Sequence, residues 1–162
     1  MSSHLNLSDY PQATLLPPAA DAAGRTGAKW GSLKYAHKAF LVFILNQGNA
    51  ATILLTPLQA TSAAGAGSKA LTNNVPIFTS LDEVNGAALS RATDAANYTT
   101  DAATKTKRVI FEIDPRTALD IVGGFCYLGC STGASNAANI TAAELIVIPA
   151  RQTGVNLPSL LT

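Results

Sequence analysis

Hydrophobic and polar positions along the chain form one pattern twice: an apolar run, a turn rich in Gly, Asn and Ala, and a second apolar run. In the first copy, Phe40-Leu-Val-Phe-Ile-Leu45 precedes Asn46-Gln-Gly-Asn-Ala-Ala51 and Thr52-Ile-Leu-Leu-Thr56. In the second, Phe125-Cys-Tyr-Leu128 precedes Gly133-Ala-Ser-Asn-Ala-Ala-Asn139 and Leu145-Ile-Val-Ile148. Short apolar runs between turn residues, without helical spacing, are typical of β-strands. The pattern predicts antiparallel strands joined by hairpins.

Other segments extend this prediction to the whole sheet. The run over residues 40–45 is apolar at both odd and even positions, which predicts a central strand covered on both sides. Val109, Phe111 and Ile113 alternate with more polar residues and should share one face. Residues 118–122 are expected to form a further short strand. About eight short strands, with turn signals about every 8–12 residues, predict an all-β antiparallel β-sandwich that is jelly-roll-like.

Composition shifts divide the chain into three parts. Residues 1–31 contain Pro11, Pro17 and Pro18 but little periodicity, which predicts an extended N-terminal arm; a disordered tail is the alternative. Residues 32–150 hold the strand patterns and form the predicted β-sandwich body. Residues 151–162 form a C-terminal tail. Trp30, the single tryptophan, stands where the arm ends and is interpreted either as an anchor for the arm or as a core residue.

Charge is scarce and evenly balanced. Of the 162 residues, 13% are charged, with a net charge of +1, about half the usual charged fraction. A nucleic-acid partner requires a concentrated basic face, so none is expected; Lys105-Thr-Lys-Arg108 is interpreted as a solvated strand edge. No run approaches the roughly 20 apolar residues of a membrane span, so no membrane is expected either. Such a weakly charged surface suits a protein that functions inside an assembly.

Few residues are candidates for chemistry. The two histidines, His4 and His37, lie in the arm and between strands, without a nucleophile motif nearby. Glu112, Asp114 and Asp120 are candidate paired carboxylates, interpreted as structural or solvated, with calcium ligation and catalysis as lesser alternatives. Aromatic residues make up 6% of the chain, which leaves little surface for stacking on sugars. We therefore predict no enzyme activity, no catalytic, cofactor-binding or metal-binding residue, and no cofactor.

The cysteines and glycine-rich segments do not change this interpretation. Cys126 and Cys130 would lie on one face of a strand roughly 13 Å apart, too far for a disulfide. Their spacing without partner histidines is no zinc motif, so they are interpreted as small buried hydrophobic residues. Gly24-Arg-Thr-Gly27 and Gly65-Ala-Gly67 lack the lysine spacing of a phosphate-binding loop and are interpreted as turns.

Six segments, spread over residues 21–150, give the chain a resemblance to a known family. They are Asp21-Ala-Ala-Gly-Arg-Thr-Gly27, His37-Lys38-Ala39, Asn46-Gln-Gly-Asn-Ala-Ala51, Asn74-Val-Pro-Ile77, Phe111-Glu-Ile-Asp-Pro115 and Gly133-Ala-Ser-Asn-Ala-Ala-Asn139. In their order and composition they resemble the capsid decoration or cement proteins of tailed bacteriophages. None of the six is a catalytic motif.

The resemblance implies a function as well as a fold. It implies a jelly-roll or β-sandwich body on the outer surface of an icosahedral phage head, made in the bacterial host cytoplasm, where it ties neighbouring capsomers together. The implied partners are the major capsid protein and further copies of the chain, as a dimer or a trimer. A neck or tail component of the virion, a carbohydrate- or receptor-binding module and a small β-scaffold enzyme are the alternatives.

Overall fold

Strands make up most of the structure, a computed structural model that describes residues 10–150. In chain order the strands are β1 Gln12–Ala20, β2 Arg25–Thr26, β3 Gly31–Ser32, β4 Ala36–Gln47, β5 Leu54–Ala60, β6 Lys69–Ala70, β7 Val75–Ser80, β8 Ser90–Ala95, β9 Tyr98–Thr99, β10 Thr106–Ile113, β11 Tyr127–Thr132 and β12 Asn139–Pro149. Two short helical segments accompany them: the 3-10 turn Glu83–Asn85 and α1, Pro115–Ala118.

The strands form two antiparallel sheets. Sheet A has the order β1-β12-β4-β10-β7-β8, and sheet B has the order β2-β11-β5-β6, with β3 also paired to β11 and β9 to β5. The prediction of an all-β antiparallel sandwich is therefore confirmed. The jelly-roll arrangement is not confirmed by this strand order.

Alternation determines which side chains face the core. Leu41, Phe43 and Leu45 of β4 are fully buried, and so are Val109, Phe111 and Ile113 of β10, as the alternation predicts. The rings of Phe43 and Phe111 meet edge to face with centroids 5.8 Å apart. From sheet B, Ile53, Leu55, Leu128 and Cys130 complete the core. Burial of these aliphatic and aromatic side chains between the sheets is the main stabilising contribution.

The two repeated strand–turn–strand patterns do not form hairpins, so that part of the prediction is wrong. β4 belongs to sheet A and β5 to sheet B, and β11 belongs to sheet B while β12 belongs to sheet A. Each turn therefore passes the chain from one sheet to the other. The physical reason is burial: Leu45 and Ile53 are both fully buried, and two runs that each need the core can face one another across it.

The extended N-terminal arm is not confirmed either. Residues 12–20 pair with β12 as an edge strand of sheet A, and β2 and β3 pair with β11 in sheet B. Ala13, Leu15 and Leu16 are buried and tie the segment to the core, while Pro17 and Pro18 lie in a stretch where the register shifts. Prolines are tolerated on such an edge strand. Residues 1–9 of the arm and the predicted tail 151–162 lie outside the described residues.

The strand predicted at residues 118–122 is also wrong. Asp114 accepts a hydrogen bond from the Arg116 amide at 3.0 Å, and Pro115 occupies the first helical position, so α1 begins here. The chain then makes a turn through residues 121–124 before β11. Helix capping and the following turn leave no extended segment in this stretch.

Candidate functional site

The carboxylates considered as a catalytic pair each have a separate structural partner. Glu112 forms an ion pair with Lys38 of the neighbouring strand. Asp114 caps α1, and Asp120 forms an ion pair with Lys69 at 2.7 Å. His37 is exposed on β4. Within residues 10–150, no three His, Cys, Asp or Glu side chains lie close enough together to hold a metal ion.

The cysteines do not form a reactive site. Both are free thiols, with Cys130 fully buried in the core and Cys126 only partly buried just before β11. Burial raises the pKa of the Cys130 thiol to about 12, and the positive charge of the Arg25 guanidinium offsets only a small part of this rise. A thiol with this pKa is protonated at neutral pH and is a poor nucleophile. The interpretation of Cys130 as a small buried hydrophobic residue is confirmed.

Three of the segments that carry the family resemblance meet at one end of the sandwich, here called the asparagine end (residues 21–27, 46–51 and 133–139). Asn139 links the two long turns: its Nδ2 donates to the Ala51 carbonyl at 2.8 Å, and its Oδ1 accepts from the Asn49 amide at 2.8 Å. A Cβ at Gly48 would stand 2.7 Å from the Ala138 carbonyl oxygen, so only glycine allows the turns to approach this closely.

Asp21 holds the third segment in place. Its buried carboxylate accepts hydrogen bonds from the Thr132 hydroxyl at 2.7 Å, from Arg25 Nε at 3.1 Å and from the Thr141 hydroxyl. Arg25 also donates to the carbonyl oxygens of Pro17 and Thr141. Two of these partners, Thr132 and Thr141, lie more than 100 residues from Asp21 in the sequence, so no local motif predicts the network.

A buried lysine completes the same end. The Lys107 side chain is fully buried, and its Nζ donates to Gln47 Oε1 at 2.9 Å and to Asp101 Oδ1 at 2.5 Å. The hydrogen bond from Lys107 is the main cause that holds the pKa of Asp101 below its usual range. Among the described residues, no buried side-chain polar atom is left without a hydrogen-bond partner. The asparagine end is therefore a satisfied structural network rather than a site waiting for a ligand.

A groove of about 560 Å³ lies between the edges of the two sheets. Its walls are the β1 segment from Thr14 to Pro17 and, opposite, Arg25, Thr26, Ala28 and Lys29. No carboxylate, histidine or cysteine lines it. The groove offers apolar surface and two basic side chains, but no acid–base pair for catalysis.

The outward face of sheet A carries apolar side chains on four of its strands. Cross-strand register places Val42 beside Ile110, and Ile110 beside Phe78, in one row across the sheet. The outward-pointing apolar residues of this open face are Phe40, Val42, Ile44, Phe78, Ile110, Ile140, Ile146 and Ile148. Ile44 is 44% exposed and Ile140 40% exposed, and the others are half-buried. All strands outside sheet A lie in sheet B, on the opposite side, so no second layer of described strands covers the open face.

Most charges on the open face are paired with one another, but Glu144 of β12, beside Val42, is exposed and takes part in none of the ion pairs of the described residues. Lys38 pairs with Glu112, and Arg108 makes a bidentate pair with Glu83, with its Nη2 at 2.9 and 3.0 Å from the two carboxylate oxygens. The face therefore combines apolar rows and closed ion pairs with one exposed carboxylate, Glu144, beside Val42. The run over residues 40–45 forms a central strand as predicted, but the prediction that it is covered on both sides is wrong for the described residues, because only one side meets the core and Ile44 is 44% exposed.

Part of the outward face of sheet B, around Gly129, is covered by the chain itself. Trp30 is 5% exposed, although it does not belong to the main core cluster. Its ring lies on Gly129 of β11, where an added Cβ would stand 2.6 Å from Trp30 Cε3, and the glycine turn at Gly65 closes over the other side of the indole. Trp30 is thus an anchor on the outside of sheet B.

Comparison with known proteins adds no name to this arrangement: no family model, no curated protein and no solved structure matches the chain. Within residues 10–150, no helix has the length and apolarity needed to cross a membrane.

Proposed function

We propose that this chain is a structural virion protein that decorates the icosahedral head of a tailed phage and cements it by bridging neighbouring capsomers. The observation that carries the proposal is the open face of sheet A. The resemblance of six segments to phage decoration proteins supplies the particular assembly. The jelly-roll arrangement, the major capsid protein as partner, the dimeric or trimeric state and the outer surface of the head belong to the same proposal.

The size of the open face favours a protein partner. Six strands about 4.8 Å apart and about eight residues long span a flat area of roughly 600 Å². A standard interface buries about 800 Å² on each partner. A face of this area, with relief from its side chains, suits a stable contact with another protein.

The chemistry of the face also favours a protein partner. Because Lys38–Glu112 and Arg108–Glu83 are closed pairs and the exposed Glu144 is acidic, the face presents no concentrated positive charge to a phosphate backbone. Its centre holds Phe40 and Phe78 among aliphatic side chains, which suits an apolar protein surface. Repetition of such a contact over many equivalent shell positions would provide avidity from modest individual affinities.

Co-sedimentation tests the proposal. Purified protein is mixed with heads that lack it, prepared from the phage whose genome encodes it, and the pellet is imaged by cryo-electron microscopy. We expect saturable binding at symmetry-related positions between capsomers. Absence of saturable binding to heads would contradict the proposal, and binding to isolated necks or tails instead would favour a neck or tail component.

A matched pair of variants links binding to the open face. Ile44 is 44% exposed on sheet A, and Leu54 is 40% exposed on sheet B. Ile44→Asp places a charge on the open face and should abolish or strongly weaken sedimentation with heads. Leu54→Asp makes the same kind of change at similar exposure on the other sheet and should leave binding within about twofold, a difference below roughly 0.5 kcal/mol.

A further inference from the structure

Ile121 and Val122 are exposed together at the tip of the turn between α1 and β11, here called the anchor turn (residues 120–125). The Val122 side chain is 103% exposed, more than any other large hydrophobic side chain reported for residues 10–150, and Ile121 is 51% exposed. Exposed single hydrophobic residues are common on protein surfaces. For two adjacent β-branched residues at a tip, the contacts of the turn decide how rigidly the side chains are held.

The anchor turn is held by an unusually complete set of hydrogen bonds. Asp120 Oδ1 accepts from the Gly123 amide at 2.9 Å, the Phe125 amide donates to the Asp120 carbonyl at 3.0 Å, and the Gly124 amide donates to the Ile121 carbonyl at 3.0 Å. Gly124 has a φ of 82°, a conformation that favours glycine. The tip is thus fixed by its own backbone and does not depend on the side chains of Ile121 and Val122.

Further contacts fix the base of the turn to sheet B. The Asp120 amide donates to Oε1 of the fully buried Gln59 at 2.7 Å, and Gln59 Nε2 in turn donates to the Ala70 carbonyl. Lys69 pairs with Asp120 and places its ammonium 4.1 Å from the centre of the Phe125 ring. A rigid turn loses little conformational entropy when a partner binds it.

The anchor turn lies at the end of the sandwich opposite the asparagine end. β10 starts beside Asn46 and finishes beside Ala39, so the residues after Ile113 are at the far end of sheet A. The described chain also begins and ends there: Val147 donates to the Pro11 carbonyl, and Ala150 donates to the Tyr35 carbonyl. The nine residues before Tyr10 and the twelve after Ala150 therefore continue from the same end as the anchor turn.

We propose that Ile121 and Val122 insert as a preformed plug into an aliphatic pocket of a partner protein. Under the proposed function, on which the identity of this partner rests, the pocket belongs to the shell protein of the head. The pocket needs no charged group, because Asp120 and Lys69 already neutralise each other beside the tip. The chain then has two separate binding surfaces, the open face and the anchor turn. A protein that bridges two neighbours requires two such surfaces.

A protein pocket fits these two side chains better than a lipid surface does. Together Ile and Val expose seven side-chain carbons, half those of a myristoyl chain, which by itself gives only marginal membrane binding. In protein interfaces, by contrast, one or two fully desolvated side chains in a pocket dominate the binding energy.

The test compares Val122→Asp with Val84→Asp in the full chain. Val84, on the 3-10 turn at the other end, is 78% exposed and provides a matched control for a surface valine changed to aspartate. Circular dichroism and thermal unfolding should show that both variants fold like the wild type. In head-binding isotherms, Val122→Asp should weaken binding about tenfold or more, the effect of a hot-spot residue, while Val84→Asp should stay within about twofold.

Location is checked independently by crosslinking. A photo-crosslinking amino acid at position 122 should join the chain to the shell protein, whereas the same group at position 84 should not. Saturable wild-type binding that Val122→Asp leaves unchanged would overturn the anchor turn alone. Failure of the wild type to bind heads would overturn the proposed function and this partner with it. Binding to phosphatidylglycerol vesicles that Val122→Asp abolishes would overturn the protein pocket in favour of a lipid surface.

Discussion

Sheet A and sheet B both bury one face in the shared core, and on sheet B the chain also covers part of the outer face, around Gly129, although Leu54 on that sheet is 40% exposed. On sheet B, Trp30 lies against Gly129, and the turn at Gly65 closes over the indole. On sheet A, Phe40, Val42 and Ile44 point outward from the longest strand, with no described layer above them. The comparison shows that a side chain of this protein, Trp30, packs over part of an outer sheet face. Ile44, on the open face of sheet A, is 44% exposed.

The largest effect should come from removing the cover of sheet B. Trp30→Ala leaves a cavity over Gly129 and beside Gly65, and substitutions of a buried Trp by Ala cost about 3–5 kcal/mol. Urea unfolding followed by circular dichroism measures the loss in the free energy of unfolding. Tyr35→Ala, at a residue 60% exposed, is the control and should cost less than about 0.5 kcal/mol. A loss below about 1 kcal/mol for Trp30→Ala would contradict the covering role.

The glycine beneath the tryptophan gives the next effect. Gly129→Ala places a methyl group 2.6–2.8 Å from three carbon atoms of the Trp30 ring, so the ring has to move and the cost should be about 1–3 kcal/mol. Ala142→Val enlarges a half-buried, outward residue of sheet A and should change the unfolding free energy by less than about 0.5 kcal/mol. Chemical denaturation of both variants compares a covered face with an open one. Equal costs at the two positions would mean that sheet A is covered as well.

How far the sequence predicts this difference depends on how local each signal is. The alternation of Val109, Phe111 and Ile113 predicted their burial, whereas the doubly apolar run over residues 40–45 predicted cover on both sides of β4, and Ile44 is 44% exposed. Cross-sheet connections were not predictable in the same way, because a Gly/Asn turn suits a hairpin and a sheet-to-sheet passage equally well. The distinction depends on contacts such as Asn139 with Asn49, 90 residues apart.

The candidate site shows the same limit. Sequence alone named Glu112, Asp114 and Asp120 as candidate paired carboxylates but could not identify their separate partners, such as Lys38 for Glu112 and Lys69 for Asp120. The sequence did not predict where the open face or the anchor turn lies. Both are recognised only in the folded structure, because no other described residues pack over them. Val122 is exposed because Asp120, Gly123 and Gly124 form a hydrogen-bonded turn that holds it at the tip. In the sequence, the Gly123-Gly124 pair predicted a turn but not the exposure of Val122.

Adjacent residues on β4 allow a sharper test of the open face, where the outward residue Ile44 should have the smaller effect on stability. Leu45 is fully buried, so Leu45→Ala should cost about 2–5 kcal/mol, whereas Ile44→Thr on the outward face should cost less than about 1 kcal/mol. Self-association is measured by sedimentation equilibrium at increasing concentration. If copies of the chain meet through the open face, Ile44→Thr should weaken self-association more than Leu45→Ala does. A stability loss for Ile44→Thr as large as that for Leu45→Ala would show that the outward side of β4 is not open.

The smallest effect concerns the anchor turn, the connection from sheet A to sheet B. The hydrogen bond from Lys69, helped by the Gly123 amide, holds the pKa of Asp120 below its ordinary value. A carboxyl whose folded-state pKa is lowered stabilises the fold above its ordinary pKa of about 3.9, and this contribution is lost as the pH falls through the lowered value. The Gly123 amide resonance should therefore stay constant from neutral pH to about pH 4 and shift only below it. In Asp120→Asn that titration should be absent, and Gly123 should exchange its amide proton faster at neutral pH. A Gly123 shift centred at or above pH 4 would show that the carboxylate does not hold the turn, and that the tip at Val122 is less rigid than the covered face of the sheet it joins.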